Sequence, residues 1–225
     1  MAIISAKNSL CSVINSNPDI IPLINRFGIT LGVKDKTIES ICNDNALDIE
    51  FFISILNTYI NEDFFPEKIL KSFRAETIVN YISQTYNYYI HYMLPNIERH
   101  FNLLIAHSGD NNNLGLMFQF FKELKNDILQ NINHDIHQWF PLIISASLNE
   151  KTPNLKFIAP SNSSIIEDKI NDLKNMFIIH LTGKYDLNLC YAVITSIISF
   201  EKDIRQNNRI RNRILYLIYK NTINK

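Results

Sequence analysis

The sequence predicts an all-α protein, a small helical N-terminal domain followed by a larger antiparallel four-helix bundle. Three observations predict it. Glycine and proline number only 5 and 7 in 225 residues, too few for a turn-rich β fold. From Arg74 onward, apolar residues recur at helical spacing over long stretches broken by short polar turns. Hydrophobic residues make up 46% of the chain, enough to bury one large core or a small and a medium one.

Residues 1–62 read as the small unit. Asn17-Pro18-Asp19 opens a helix, because asparagine can cap it and proline is tolerated in a first turn. Ile20, Ile21, Leu23, Ile24 and Phe27 give its apolar face, and Gly28 is its stop. A short helix over Thr37 to Asn43 follows. Another runs from about Leu47 to Ile60, with Ile49, Phe52, Ile53, Leu56 and Ile60 in phase. The stretch around Pro66 reads as a linker, placed at 63–73.

Residues 74–225 read as the bundle. Its first helix covers about Ala75 to His107, with a kink at Pro95, and Gly109 to Asn113 is a turn. The second covers Leu114 to Leu148, kinked at Pro141. A connector runs from Asn149 to Ser163. The third helix covers Ser164 to Leu181 and is broken by Thr182-Gly183-Lys184. The fourth covers about Leu187 to Tyr219.

Bulk chemistry narrows the function classes. Basic and acidic residues balance at 22 each, so no global charge draws a polyanion. Cys11, Cys42 and Cys190 are odd in number and form no CxxC, which argues against a disulfide framework or thiolate site. No secretion signal or membrane-length apolar run is apparent, so a cytoplasmic protein is expected. P-loop, dinucleotide, nucleophile-elbow and zincin motifs are absent, and nothing marks an enzyme.

Each remaining candidate has a structural explanation. Of His91, His100, His107, His134, His137 and His180, the pair His134 and His137 is three apart with Asp135 between. His91 and His100 project differently, however, and the fourth helix carries no histidine. The six therefore read as surface or packing residues rather than a bundle metal site. Tyr86, Tyr88, Tyr89, Tyr92, Phe120, Trp139 and Phe140 read as core rather than a ligand box. Cys190 reads as a buried small hydrophobe. Lys202, Arg205, Arg209, Arg211, Arg213, Lys220 and Lys225 make the C-terminal stretch basic, which reads as a solvated face with one or two ion pairs rather than a phosphate-contacting surface.

The layout nevertheless resembles a known family. Asn17-Pro18, Arg26-Phe27-Gly28-Ile29, Lys36-Thr37-Ile38 and Cys42 are similar to the small N-terminal domain of the hemerythrin-like iron–sulfur cluster repair di-iron proteins. Tyr81 to Ile97 and Trp139-Phe140-Pro141 resemble parts of their bundle. The resemblance implies two irons held by four histidines and two carboxylates. The corresponding places here are Asn87, Asn131, Asp135, Ser163 (or Asn162), Asn207 and Arg211, and only Asp135 keeps a ligand type. The adjacent cysteines usual in the family's N-terminal domain are replaced by Leu31-Gly32-Val33. No metal or other cofactor is therefore expected, two irons being the alternative.

A physical substitution follows from this alignment. Arg211 and Asp135 occupy the two acid places. A buried arginine–carboxylate pair, ringed by Asn87, Asn131 and Asn207, would replace metal charge with protein charge. The resemblance then implies a non-enzymatic sensor or interaction protein connected with iron–sulfur maintenance and nitrosative or oxidative stress. It would act through a protein partner or a homodimer. The alternatives are a di-iron repair protein and a DNA-binding regulator. Asp35, Glu39, Asp44, Asp48 and Glu50 make the N-terminal unit a poor phosphate-facing surface.

Overall fold

The structure, a computed structural model, describes residues 3–109, 113–148 and 163–223. It is all-α, and among these residues the only extended pairing is an isolated bridge between Ser9 and Thr37. The helices are α1 (Leu10–Ser16), α2 (Ile21–Arg26), α3 (Ile38–Asp44), α4 (Ile49–Ile60), α5 (Glu67–Leu70), α6 (Ala75–Tyr88), α7 (Leu94–Ala106), α8 (Leu114–His134), α9 (Phe140–Ser147), α10 (Ser163–His180), α11 (Leu187–Ile210) and α12 (Tyr216–Ile223).

In the N-terminal unit, Thr37 and Asp48 cap α3 and α4, accepting hydrogen bonds from the backbone N–H groups of Ser40 and Phe51. These bonds satisfy donors that the first helical turn cannot. Gly28 ends α2 at φ +77°. Its N–H reaches Asn25 and that of Ile29 reaches Ile24, the paired bonds of a Schellman stop. One expectation is corrected at Asn17. An additional helix, α1, precedes it, and Asn17 closes that helix by donating its side-chain amide to the Val13 carbonyl. It makes no side-chain cap to the 3-10 turn Pro18–Ile20 that leads into α2.

The small unit is fastened to the rest of the chain. Asn57 is buried, and its side-chain amide pairs with both backbone groups of Ile4 at 2.8 Å each. α2 packs on α6 and α4 on α11. Phe27 stacks on Tyr81 with ring centres 5.4 Å apart, edge-on to Phe52 at 4.9 Å. The segment read as a linker contains α5, whose Leu70 is fully buried. Glu67 pairs with Arg213, and Phe65 lies under the guanidinium of Arg213 at 4.1 Å.

Three of the long segments are composite. α6 and α7, α8 and α9, and α11 and α12 are each joined by one π-helical turn: Tyr89–Met93, Asp135–Trp139 and Arg211–Leu215. Two of these turns sit just before Pro95 and Pro141, each the second residue of the following helix. Proline cannot donate to the preceding turn and crowds the carbonyl four residues back, which the wider π turn accommodates. The third turn has no proline and interrupts the helix expected over about Leu187 to Tyr219. α7 packs on α11, α11 on α10, α10 on α8 and α8 on α7, while α6, α9 and α12 pack together beyond the π turns. The ends are stitched: Asn113 accepts from the Thr182 N–H and donates to the His180 carbonyl. Asp110–Asn112 of the expected turn and most of the expected connector (149–162) lie outside the described residues.

Candidate functional site

The two later π turns carry a buried charged cluster. The Arg211 guanidinium grips Asp135 with two parallel hydrogen bonds, Nε to Oδ2 at 2.6 Å and Nη2 to Oδ1 at 2.8 Å. Both side chains are almost wholly inaccessible, at 2% and 1% exposure. The Tyr86 hydroxyl donates a third bond to Asp135 Oδ2 at 2.7 Å. The guanidinium carbon also sits 4.6 Å from the centre of the Trp139 ring, a cation–π contact in a dry setting. Arg211 Nη1 donates to Asn212 Oδ1, and Asn212 Nδ2 donates to Ser163 Oγ at the start of α10. One network therefore ties α6, the two later π turns and α10 together.

The electrostatics follow from this geometry. Burial alone would lower the pKa of Arg211, but the hydrogen bonds and charge of Asp135 outweigh it, so the guanidinium is held above its ordinary value. Burial first, and the Asp135 charge second, push the Tyr86 phenol well above its usual range. Tyr86 therefore stays a neutral donor. His134 stands at the half-exposed rim, its Nδ1 3.4 Å from Asp135 Oδ1.

The six places taken from the resemblance fare unequally. Asp135 and Arg211 meet. Asn131 is half-buried and lines, with Arg211, Tyr86, Tyr89, Ser163 and Asn208, a cavity of about 30 Å³. Ser163 reaches the pair through Asn212, and Asn162 lies outside the described residues. Asn207 is buried at 2% exposure, yet neither its amide nitrogen nor its oxygen has a hydrogen-bond partner among the described residues. It therefore gives the pair no hydrogen bond. Asn87 is exposed and is not part of the ring. Its neighbour Tyr86 takes the inward place, because one residue turns a helix by about 100° and the buried face of α6 runs through Ile78, Ile82, Thr85 and Tyr86.

The donor set does not fit a di-iron centre. Asp135 already has both oxygens engaged, Arg211 cannot coordinate a cation, and an amide or hydroxyl is a weak iron ligand. Among the described residues no three His, Cys, Asp or Glu side chains gather into a metal-holding group. No family model, curated protein or solved structure matches the chain. No helix among the described residues is long and apolar enough to cross a membrane.

A second buried ion pair was not foreseen. Arg26 of α2 donates through Nη2 to Asp203 of α11, with side chains 2% and 3% exposed. The guanidinium also lies over the Tyr88 and Tyr89 rings, at 4.7 and 5.8 Å. This pair is less well satisfied than the first: Arg26 Nε and Nη1, Asp203 Oδ1 and the Tyr89 hydroxyl have no hydrogen-bond partner among the described residues. It joins the small unit to α11. A signal for it existed in the sequence, since Asp203, Asn207 and Arg211 recur every four residues beside the apolar stripe of Val193, Ile197, Phe200 and Ile204.

The other candidates are structural. Tyr89, Trp139 and Phe140 are core, as is the ring of Tyr86, whereas Tyr92 is exposed. The C-terminal cations make more ion pairs than the one or two expected. Lys202 pairs with Asp19, Arg205 with Glu201 and Arg213 with Glu67, beside the Arg211 pair. Arg209 donates to the Phe64 carbonyl and to Gln206. Burial raises the Cys190 thiol, and burial with Asp48 nearby pushes the Cys42 thiol up to about 11.

Proposed function

We propose that the three composite segments and α10 form a hemerythrin-like antiparallel four-helix bundle in which the Arg211–Asp135 pair replaces a metal centre. The protein then acts as a non-enzymatic sensor or interaction protein in iron–sulfur maintenance and the response to nitrosative or oxidative stress. The observation that carries this reading is the bidentate, fully buried pair at the level of the π turns. It supplies a fixed cation where the resembling family uses metal ions, and it saturates the one carboxylate a metal could use. Removing an opposite charge from a buried pair is costly, so the pair acts as a permanent brace rather than a loadable site.

Thermal unfolding with and without added ferrous iron tests the metal-free part. A ligand that binds only the folded state raises the midpoint. The reading requires an unchanged midpoint in iron and in chelator, and an iron-dependent rise overturns it. Loss of the protein should also slow the recovery of iron–sulfur enzyme activity after exposure to nitric oxide. Recovery at the normal rate removes the stress role.

A further inference from the structure

We propose that the face formed by α7 and the first half of α11 is a homodimer interface, its occupant a second copy of this chain. The inference stands apart from the metal-free reading. From Leu187 to Phe200, fourteen residues contain no charge, whereas Glu201 to Arg213 is densely charged. Within the uncharged half, Leu187, Tyr191 and Ile198 are 53%, 56% and 46% exposed. Their spacing places them on one stripe of the helix.

α7 runs antiparallel beside that stripe. Ser108 accepts from the Asp186 N–H and Gly109 donates to the Lys184 carbonyl, a register that sets Arg99 beside Thr195 and Leu103 beside Tyr191. A groove holds Arg99 and Thr195 in one lining, in keeping with that register. It has a volume of about 550 Å³ and is lined by Tyr88, His91 and Tyr92 of α6 and its π turn, Arg99 of α7, Thr195 and Ser199 of α11, and Pro22 of α2.

Three properties select a second copy as the occupant. First, the same face carries both a ridge (Tyr191 and Ile198) and a recess, as a two-fold interface requires of one surface. Second, the face is nearly neutral: among the described residues lining the groove, Arg99 is the one fixed charge and His91 the one other ionisable cation. Thr195 and Ser196 already donate their hydroxyls to Tyr191 and Ala192 carbonyls of their own helix. A strongly charged partner would find no complement there, while a copy brings an equally neutral face and tyrosine rings for Arg99 to stack on. Third, two side chains alone supply a sizeable part of the area that a stable dimer needs. Tyr92 and Tyr191, at 66% and 56% exposure, offer about 240 Å² between them at ~200 Å² per ring side chain. That is almost a third of the ~800 Å² per partner of a stable interface, before Leu103, Leu187, Ile198 and the groove walls are added.

Sedimentation of the full chain at micromolar concentration tests the proposal. A mass of twice 26.2 kDa is expected. Tyr191→Glu and Ile198→Glu should each weaken association by roughly 30-fold or more while helicity by circular dichroism stays unchanged. Leu116→Glu, at a site on α8 that is 73% exposed, should leave the dimer intact. A monomeric wild type overturns the inference, and so does a dimer that survives both α11 substitutions.

Discussion

Arg211→Ala should destabilise the protein by about 3–5 kcal/mol, and the structure says where that cost arises. Asp135 is 1% exposed and takes three of its short hydrogen bonds from Arg211 and Tyr86. Without the guanidinium, only the Tyr86 hydroxyl and the more distant His134 ring remain to it. The carboxylate stays buried and uncompensated, and Trp139 loses its cation. Asp135→Ala strands the arginine instead, at a similar cost. Replacing both, as Asp135→Leu with Arg211→Met, removes the charges together. Such replacements are often neutral or stabilising by about 1–4 kcal/mol, so the double variant should lie far above the sum of the single losses. Urea unfolding followed by circular dichroism is the assay. With a slope of roughly 3 kcal/mol per molar urea, a loss of about 4 kcal/mol moves the midpoint down by about 1.3 M. Single variants within about 1 kcal/mol of the wild type, or a double variant as unstable as the sum, would refute the brace.

Two further outcomes follow from buried groups. Arg26→Ala should release the N-terminal unit from α11, because Asp203 is left buried without its partner, and limited proteolysis should cut near the segment 61–73 faster than in the wild type. The smaller number of satisfied atoms at this pair predicts a smaller loss of stability than at Arg211. The second outcome concerns alkaline pH. The Cys42 thiol is raised from 9.0 to about 11 and the Tyr81 phenol from 10.0 to about 12, chiefly by burial. Folded pKa values above the unfolded ones mean that stability is complete below about pH 9 and falls as pH rises towards 12. A urea midpoint that holds steady from pH 9 to pH 11 contradicts this. The same burial predicts that half-exposed Cys11 alkylates well before Cys42 and Cys190 at pH 8, as peptide mapping would show.

Local chemistry made much of the fold legible. The caps Thr37 and Asp48 show only in the structure, whereas the stop at Gly28 is legible directly, because a cap acts within one turn of chain. Pro95 and Pro141 marked two interruptions for the same reason. The π turn at Arg211–Leu215 has no such marker, since no proline lies in it. α1 was missed although Ser9 caps it and Leu10, Val13 and Ile14 lie on one face. So short a window carries little periodic weight.

The site was legible in its charges and not in its register. Arg211 and Asp135 meet across separate segments, as the substitution argument required. Asn87 fails by a single residue, and a single residue turns a side chain from the cavity to solvent. Tyr86 was read only as an aromatic for the core, although a buried phenol also needs a partner for its hydroxyl. Arg26 was not singled out because its partner lies 177 positions away: the four-residue recurrence on α11 marks Asp203 but not the residue it meets.

Metal content per chain, measured by elemental analysis of protein purified from iron-supplemented cells, tests the central claim most directly. The account predicts a value near zero in a fully folded protein, since Arg211 and Tyr86 already engage both oxygens of Asp135. A value near two irons per chain would contradict it and make the buried pair a minor feature of a loaded site.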